Sequence, residues 1–344
     1  MLRVALDPPR AYGGPIARGV LRAEPEDFLV EEQLGFSPAG SGQHVLLKVR
    51  KRDANTQWVA RELARASGCR ALDVGYAGLK DRRAVTLQWF TVPQSRIALE
   101  GWTAVRGEGF EVVEAHAHTR KLPRGALEAN RFQIRIRRME VDDRVLTSRL
   151  ADIAAHGVPN YFGPQRFGRG GANLARMNED PRALAPQQRG FMLSAARSLV
   201  FNAVAAERVA DGSWASLEPG DVANLDGRGS VFAVEADPSL LERCQRLELH
   251  PTGPLWGRGT LASAHRIHSL ESAVAARFSQ ACALTEQAGM EQERRALRLA
   301  VRDLQWQRDE AGIVIRFRLT RSGFATTVLR EVVDSGEPVE EAEQ

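Results

Sequence analysis

Cysteine is scarce in this sequence of 344 residues, which contains only Cys69, Cys244 and Cys282 and no Cys-x-x-Cys pair. A disulfide framework or a zinc site needs several cysteines at short spacing, so neither is expected. Long apolar runs are missing too: none approaches the ~20 residues that cross a bilayer, and the first residues lack the apolar core of a signal peptide. We therefore expect an unexported protein of the reducing cytoplasm that makes no contact with a membrane.

Metal-binding and phosphate-binding signatures are weak as well. His116 and His118 lie two residues apart and His265 and His268 three apart, and we interpret both pairs as structural or surface residues rather than metal ligands. The Gly-Arg-Gly stretch at 227–229 lacks the Gly-Lys-Ser/Thr ending of a phosphate-binding P-loop, so it predicts a turn.

The sequence has an excess of positive charge. The formal net charge is +4, but the last ten residues hold four Glu and no Lys or Arg, so the remaining residues carry +8. A basic body suits a polyanionic partner such as nucleic acid, although many basic proteins bind none.

Apolar residues recur with the period of strands in some segments and of helices in others. The predicted strands are 43–50, 74–77, 84–92, 131–137 and 313–319, with a strand-like stretch around 221–234. One predicted helix starts at Asn55 or Thr56 and ends at Gly68. Four others span about 142–156, 193–210, 270–288 and 325–333.

The length favours two domains. A glycine-rich loop at 160–173 indicates a junction, and the strand at 313–319 is too short to fold alone. We therefore predict a first domain built from 1–158 and 304–334, an inserted domain at 159–303, and a disordered acidic tail at 335–344.

Asp81 is the first candidate for chemistry. It lies in the predicted turn 78–83 beside Lys80, Arg82 and Arg83, where three cations favour an ionised carboxylate. An ionised carboxylate can act as a nucleophile. On the charge pattern alone, a solvated turn with a surface ion pair remains an open alternative.

A series of motifs adds to this pattern. The series consists of 24–32 (EPEDFLVEE), 78–81 (GLKD), 130–132 (NRF), 160–168 (NYFGPQRFG) and 323–331 (GFATTVLRE), with 194–198 (SAARS) and 254–257 (PLWG) between the last two. It resembles the signature series of the tRNA pseudouridine synthase D (TruD) family. The resemblance runs from about Arg22 to Glu331.

The resemblance implies an α+β fold: a pseudouridine synthase-type catalytic domain with a mixed, mainly antiparallel sheet, interrupted by an inserted α/β domain. It implies tRNA in a cleft between the domains, a monomer, no cofactor and no metal. The implied reaction converts uridine 13 of tRNA, including glutamate tRNA, to pseudouridine, with Asp81 as the covalent nucleophile. Whether Asp81 attacks C1′ of the sugar or C6 of the base stays open.

The resemblance also implies roles for other residues. Phe28, Phe132 and Phe324 are expected to form apolar walls for a flipped base, with plain core packing as the alternative. Asn130 is expected to hydrogen-bond the uracil edge or the backbone. Phe132 stands where other pseudouridine synthases keep a Tyr, so no phenol is available there as a base. The residue that accepts the proton from C5 is therefore not assigned.

The remaining site residues form two groups. Arg22 is expected to pair with Asp81, or else to be a surface residue, and Lys80 is expected to bind substrate beside it. Arg166, Arg169 and Asn173 lie in the glycine-rich loop and suit contacts to RNA phosphates.

Two other functions are alternatives to this one. A non-catalytic RNA-binding protein on the same scaffold would have no need of an intact GLKD loop. An unrelated hydrolase using Asp81 or the acidic run Glu31 and Glu32 predicts metal dependence or a second paired carboxylate.

Overall fold

The computed structural model describes residues 2–94, 96–235, 237–321 and 323–336. The chain divides into two compact units, each built from three chain segments. We call them the sheet unit (Ile16–Asp142, Arg302–Ser322 and Val333–Gln344) and the helical unit (Met1–Pro15, Asp143–Val301 and Gly323–Val332).

The described strands are, in chain order, β1 (Ala17–Arg18), β2 (Val20–Leu21), β3 (Phe28–Leu34), β4 (His44–Arg52), β5 (Gly75–Tyr76), β6 (Val85–Pro93), β7 (Arg106–Gly107), β8 (Phe110–His118), β9 (Leu127–Arg137), β10 (Val158–Pro159), β11 (Val222–Leu225), β12 (Val231–Ala233), β13 (Leu249–Leu255), β14 (Glu293–Ala296), β15 (Arg298–Leu299), β16 (Arg302–Asp309), β17 (Gly312–Thr320) and β18 (Val333–Asp334). The described α-helices are α1 (Leu2–Leu6), α2 (Thr56–Ser67), α3 (Asp143–His156), α4 (Ala172–Ala175), α5 (Pro186–Ala210), α6 (Pro238–Gln245), α7 (His265–Arg277), α8 (Ser279–Gln287) and α9 (Ala325–Leu329). Short 3-10 helices connect several of them. In the parts of the chain that the structure describes, no helix combines the length and the apolar character of a membrane span.

The sheet unit is organised around one large sheet. Among the described residues it has ten strands, in the order β16-β17-β9-β3-β6-β4-β8-β7, with β2 beside β9 and β5 beside β6. The pair β3–β6 is parallel and the other described pairs of this sheet are antiparallel. The predicted α+β class with a mixed, mainly antiparallel sheet is confirmed.

Helix α2 covers one part of this sheet. Its first turn is capped by the Asn55 side chain, which accepts a hydrogen bond from the Gln57 amide, and Gly68 ends it with a φ of 77°. The apolar face of α2 packs with strands β4 and β6 in one core cluster that includes Val59, Leu63 and Phe90. The helix and both of its predicted ends are confirmed.

Strand β9 separates two kinds of side chain. Because successive residues of a strand point to opposite faces, Asn130, Phe132 and Ile134 share one face and Arg131 and Arg135 the other. The first face is buried, whereas Arg131 is exposed. The predicted division into a core face and a basic face is confirmed.

The helical unit has its own core around α5. This helix is longer than predicted at its N-terminal end, and its buried side chains pack with α4, α7 and α8. A four-stranded antiparallel sheet in the order β12-β11-β13-β14 lies in the same unit.

The structure departs from the sequence prediction at two helices. The predicted helix 270–288 is two helices, because Phe278 between α7 and α8 has non-helical backbone angles. The predicted helix 325–333 ends at Leu329, since Val333 and Asp334 instead pair in parallel with β1.

The units do not have the bounds of the predicted domains. Helix α3 and the segment Gly323–Val332 belong to the helical unit, although the prediction placed both with the first domain. Strand β17 pairs with β9 as expected for the returning chain. Most of the predicted acidic tail, 337–344, lies outside the described residues.

A buried ion pair connects α5 to the loop before β11. The Arg208 guanidinium donates to both carboxylate oxygens of Asp221 at 2.8 and 3.1 Å, and both side chains are almost fully buried. The same guanidinium also donates to the carbonyls of Ser213 and Ser216.

We expect Asp221→Ala to lower the free energy of unfolding of the helical unit by about 3–5 kcal/mol, because it leaves a buried cation without its partner. Urea unfolding followed by circular dichroism measures the loss. The control is Glu207→Ala, which removes a surface pair with Arg277 whose side chains are 43% and 55% exposed, and we expect it to cost less than about 1 kcal/mol. Equal losses in the two variants would contradict this assignment.

Candidate active site

Asp81 lies in the loop between β5 and β6. Its Oδ2 accepts a hydrogen bond from Nη2 of Arg22 at 2.6 Å. Its Oδ1 has no partner among the described residues, and 35% of the side-chain surface is exposed. One carboxylate oxygen is thus held and the other is open to a reagent.

Arg22 is held in turn by an aromatic ring. Its guanidinium carbon lies 4.2 Å from the centroid of the Phe28 ring, and only 14% of its side chain is exposed. The Arg22 backbone has a φ of 55°, a left-handed conformation that costs a non-glycine residue roughly 1–2 kcal/mol. The geometry brings Arg22 to Asp81 as the family resemblance implied, so Arg22 is not an isolated surface residue.

The loop that carries Asp81 is fixed by buried polar side chains. Thr56 Oγ1, at the start of α2, accepts from the Lys80 amide at 3.1 Å and donates to Gln88 Oε1 at 3.1 Å. Gln88 Nε2 donates to the Gly78 carbonyl at 2.7 Å. Helix α2 and strand β6 therefore hold the GLKD loop from two sides.

Lys51 lies beneath the same loop. It is 1% exposed, and its ammonium donates to the carbonyls of Ala54 at 2.9 Å and of Asp81 itself at 3.3 Å. Burial lowers the pKa of Lys51 to about 8, and the nearby Asp81 carboxylate opposes that change.

The Lys80 ammonium pairs with a carboxylate of strand β3. Its Nζ lies 2.6 Å from Oε1 of Glu32, a fully buried carboxylate, and Lys80 itself is 10% exposed. Glu32 Oε2 also accepts from the Trp89 amide at 2.9 Å. The structure therefore places Lys80 beside Asp81 along the chain, with its ammonium directed to β3.

The acidic run at Glu31 and Glu32 does not form a paired carboxylate site. The two side chains point to opposite faces of β3, where Glu31 contacts Lys48 at 2.8 Å and Glu32 contacts Lys80. Among the described residues there is no group of three or more His, Cys, Asp or Glu placed to hold a metal ion. Nothing in this geometry favours the hydrolase alternative.

Three phenylalanine rings form a row across the sheet. Phe28 meets Phe132 edge-on with centroids 6.2 Å apart, and Phe132 stacks on Phe317 at 5.3 Å. Phe28 and Phe132 are 2% and 6% exposed. Both rings are therefore core residues, and both lie on the face of the sheet that carries the Asp81–Arg22 pair.

Asn130 lies two residues before Phe132 on that face. Its side chain is 8% exposed, and its Oδ1 has no hydrogen-bond partner among the described residues. A buried amide oxygen without a donor is costly unless a ligand supplies one.

The remaining predicted site residues belong to the helical unit. Phe324 precedes α9 and is 42% exposed. Arg166 donates to Ser194 Oγ at 2.9 Å, and Asn173 Nδ2 donates to the Arg166 carbonyl at 3.4 Å. Arg169 follows in the same loop and is exposed, so the structure brings Arg166 and Asn173 together with Arg169 nearby in the chain.

Several residues of this site were assigned another role, or none, from the sequence. Lys51, Thr56, Gln88 and Glu32 support the loop, and Phe317 completes the aromatic row. One signal was present: Lys51 continues the apolar alternation of Val45, Leu47 and Val49 in β4, so it falls on the buried side of that strand.

Comparisons with known proteins decide the family. The family model "tRNA pseudouridine synthase D (TruD)" matches residues 11–179 and 172–332. The chain belongs to the tRNA pseudouridine synthase D family. The resemblance seen in the motifs is thereby confirmed.

Individual members of the TruD family cover almost the whole chain. A protein named tRNA pseudouridine synthase D from Nitrosococcus oceani is 46% identical over 96% of this chain and 95% of its own length. One of the same name from Methylococcus capsulatus is 44% identical over 95% of this chain and 94% of its own length. One from Pseudomonas putida is 42% identical over 97% of this chain and 96% of its own length.

A solved structure shares the TruD fold. The crystal structure of the putative tRNA pseudouridine synthase D from Methanosarcina mazei superposes with a TM-score of 0.74, covers 96% of this chain and 97% of that chain, and is 19% identical. At this identity the likeness establishes the fold alone.

The buried Lys51 predicts how stability changes with pH. Because the pKa of Lys51 is about 8 in the folded chain and 10.5 when unfolded, the unfolded state binds more protons between these values, and stability rises with pH. We expect wild type to gain about 3 kcal/mol relative to Lys51→Met between pH 7 and pH 10.5. Urea unfolding at several pH values measures this difference.

The control is Lys48→Met, on the opposite face of the same strand. Lys48 lies at 2.8 Å from Glu31 and 3.2 Å from Glu114, near the protein surface. The difference in unfolding free energy between wild type and Lys48→Met should not show the rise that starts near pH 8. A flat difference for Lys51→Met would mean that Lys51 does not titrate as its burial requires.

Proposed function

We propose that this protein isomerises the uridine at position 13 of tRNA, including glutamate tRNA, to pseudouridine, with Asp81 as the covalent nucleophile. Family membership carries the coarser part: the protein is a tRNA pseudouridine synthase, an isomerase. The observation that supports the finer part is the Asp81 carboxylate, with one oxygen on Arg22 and the other without a partner.

The reaction breaks the bond between N1 of uracil and C1′ of the ribose, turns the base, and joins C5 to C1′. C5 loses a proton and N1 gains one, so no atoms are added or removed overall. A carboxylate that bonds to C1′ or to C6 holds the intermediate while the base turns. The open oxygen of Asp81 suits either attack.

The other residues have roles around that bond. Arg22 orients the Asp81 carboxylate through its 2.6 Å contact with Oδ2. Asn130 supplies an amide oxygen to a donor on the base, and Phe28, Phe132 and Phe324 contribute apolar surface for a base outside its stack. Lys80 acts on substrate only through the loop, because its ammonium binds Glu32.

RNA contacts outside the reacting base fall to the helical unit. Arg166, Arg169 and Asn173 lie in a glycine-rich segment where the backbone can approach a phosphate chain closely, and they position the tRNA rather than read its sequence. We further propose that residues 1–158 and 304–334 form the catalytic domain and that residues 159–303 form the inserted domain of the family.

The protein acts as a cytoplasmic monomer in this proposal, without metal or cofactor. A non-catalytic RNA-binding protein on the same scaffold is a weaker candidate. It would have no use for a carboxylate held by Arg22 above a buried lysine and a row of aromatic rings.

Asp81→Asn tests the nucleophile. We expect at least about a 10³-fold loss of pseudouridine formation, because an amide cannot form the covalent bond, with tRNA affinity within about threefold of wild type. The assay incubates protein, metal chelator and an unmodified tRNA transcript, then maps pseudouridine by carbodiimide-dependent stops of reverse transcription.

Asp73→Asn is the matched control, since Asp73 forms a surface pair with Arg70 at 2.9 Å. It should retain wild-type activity. Product from Asp81→Asn at the wild-type rate would end the assignment of Asp81, and a stop at another uridine would end the assignment of position 13.

Arg22→Met tests the ion pair. We expect the single-turnover rate to fall by about 10²-fold with little change in tRNA affinity, because the carboxylate loses its orienting partner. Arg22→Lys should recover part of the rate. Arg70→Met removes the partner of Asp73 and should change nothing, whereas equal effects of the two Met variants would show that Arg22 has no specific role.

A further inference from the structure

Two arginines of the helical unit share one aromatic ring. The guanidinium carbon of Arg295 lies 4.4 Å from the centroid of the Phe162 ring, and that of Arg166 lies 5.2 Å from it. Arg166 comes from the glycine-rich loop and Arg295 from β14. Residues far apart in the chain are thus brought to one place.

Neither of these guanidiniums has a carboxylate partner among the described residues. Arg166 donates to the hydroxyl of Ser194, and Arg295 Nη2 donates to Oδ1 of Asn160 at 2.7 Å. Arg295 Nε also donates to the Asn160 carbonyl at 3.4 Å. The polar contacts of both arginines are therefore to neutral groups.

Neighbouring arginines of the same unit are neutralised. Arg294, adjacent in the chain, pairs with the buried Glu271 at 2.7 Å, and Arg197 of α5 pairs with Glu293 at 3.2 Å. Among the described residues, the lack of a carboxylate beside Arg166 and Arg295 is therefore a local feature of this pair.

Two cations held together without a counter-ion repel each other. Burial lowers the pKa of Arg295 to about 10, and the charge of Arg166 contributes to the change. An anion that binds both guanidiniums removes this electrostatic repulsion. A guanidinium fork matches the oxygens of a phosphate, and a pair of forks held on one ring is already oriented.

We propose that Arg166 and Arg295 together clamp one backbone phosphate of the tRNA, with Phe162 as the platform and Asn160 and Ser194 as the groups that orient the two forks. This proposal rests on the proposed function, because tRNA supplies the phosphate. Asn160 is fixed for this task, since its Nδ2 donates to the Ala296 carbonyl at 2.9 Å.

The test measures the affinity of an unmodified tRNA transcript at several KCl concentrations. The variants are Arg166→Met, Arg295→Met and the double variant, and the control is Arg228→Met, an exposed arginine in the turn between β11 and β12. We expect each single variant to lose about tenfold in affinity. The slope of log K against log salt should become shallower by about 0.9, the value for one phosphate contact.

The double variant distinguishes a shared phosphate from two separate ones. If both arginines hold the same phosphate, the double variant changes the slope no more than either single variant. A slope change near twice that value would overturn the shared clamp, and so would an unchanged slope in both single variants or a slope change in Arg228→Met as large as theirs.

Folding and catalysis are measured on the same proteins. A purely structural role for the Arg295–Phe162 contact would lower the melting temperature and the rate at saturating tRNA while leaving the salt slope unchanged, which would also overturn the proposal. Arg166 lies exposed on a loop, so Arg166→Met tests the clamp even where Arg295→Met unfolds. Pseudouridine formed by wild type in the same assay separates failure of the clamp from failure of the proposed function.

Discussion

The position of the Asp81 carboxylate depends on hydrogen bonds between a short loop and polar side chains buried in the sheet. Thr56 and Gln88 hold the loop at Lys80 and Gly78, and Lys51 holds the carbonyl of Asp81. Polar groups at buried positions are costly unless they are satisfied. Here they are satisfied by the backbone of the loop, so the sheet is at its most stable when the loop has the conformation that presents Asp81.

The charged side chains around the loop are also each bound by a specific partner. Three basic side chains surround the loop, and each has a different neighbour: Arg22 binds the Asp81 carboxylate, Lys80 binds Glu32, and Lys51 binds carbonyls. Only Arg22 holds the carboxylate directly. The division binds one carboxylate oxygen of Asp81 and leaves the other open, which a nucleophile requires.

Much of this arrangement could be predicted from the sequence, because it depends on local periodicity and on motifs. The alternation in β9 and the caps of α2 at Asn55 and Gly68 are short-range signals, and the structure has them where they were expected. The loop position of Asp81 followed from the predicted turn between two strands, and its pairing with Arg22 followed from the family resemblance.

The rest could not be predicted because it depends on contacts between distant segments. Lys51 is the last residue but one of β4. The alternation of the strand places it on the buried side, but its contact with the Asp81 carbonyl depends on the loop that packs over it. Nothing in the spacing of Arg166 and Arg295 indicates that Phe162 unites them. The early end of α9 is likewise decided by distant pairing, because β18 hydrogen-bonds to β1 near the start of the chain.

The strict alternation of β9 has a consequence for how this family can vary. The strand carries Asn130 and Phe132 on one side and Arg131 and Arg135 on the other, between two antiparallel neighbours. A slip of one residue, or a single deletion within the strand, would exchange the two sets and bring guanidiniums against the aromatic row. Insertions and deletions should therefore be absent from this strand and confined to the loops at its ends.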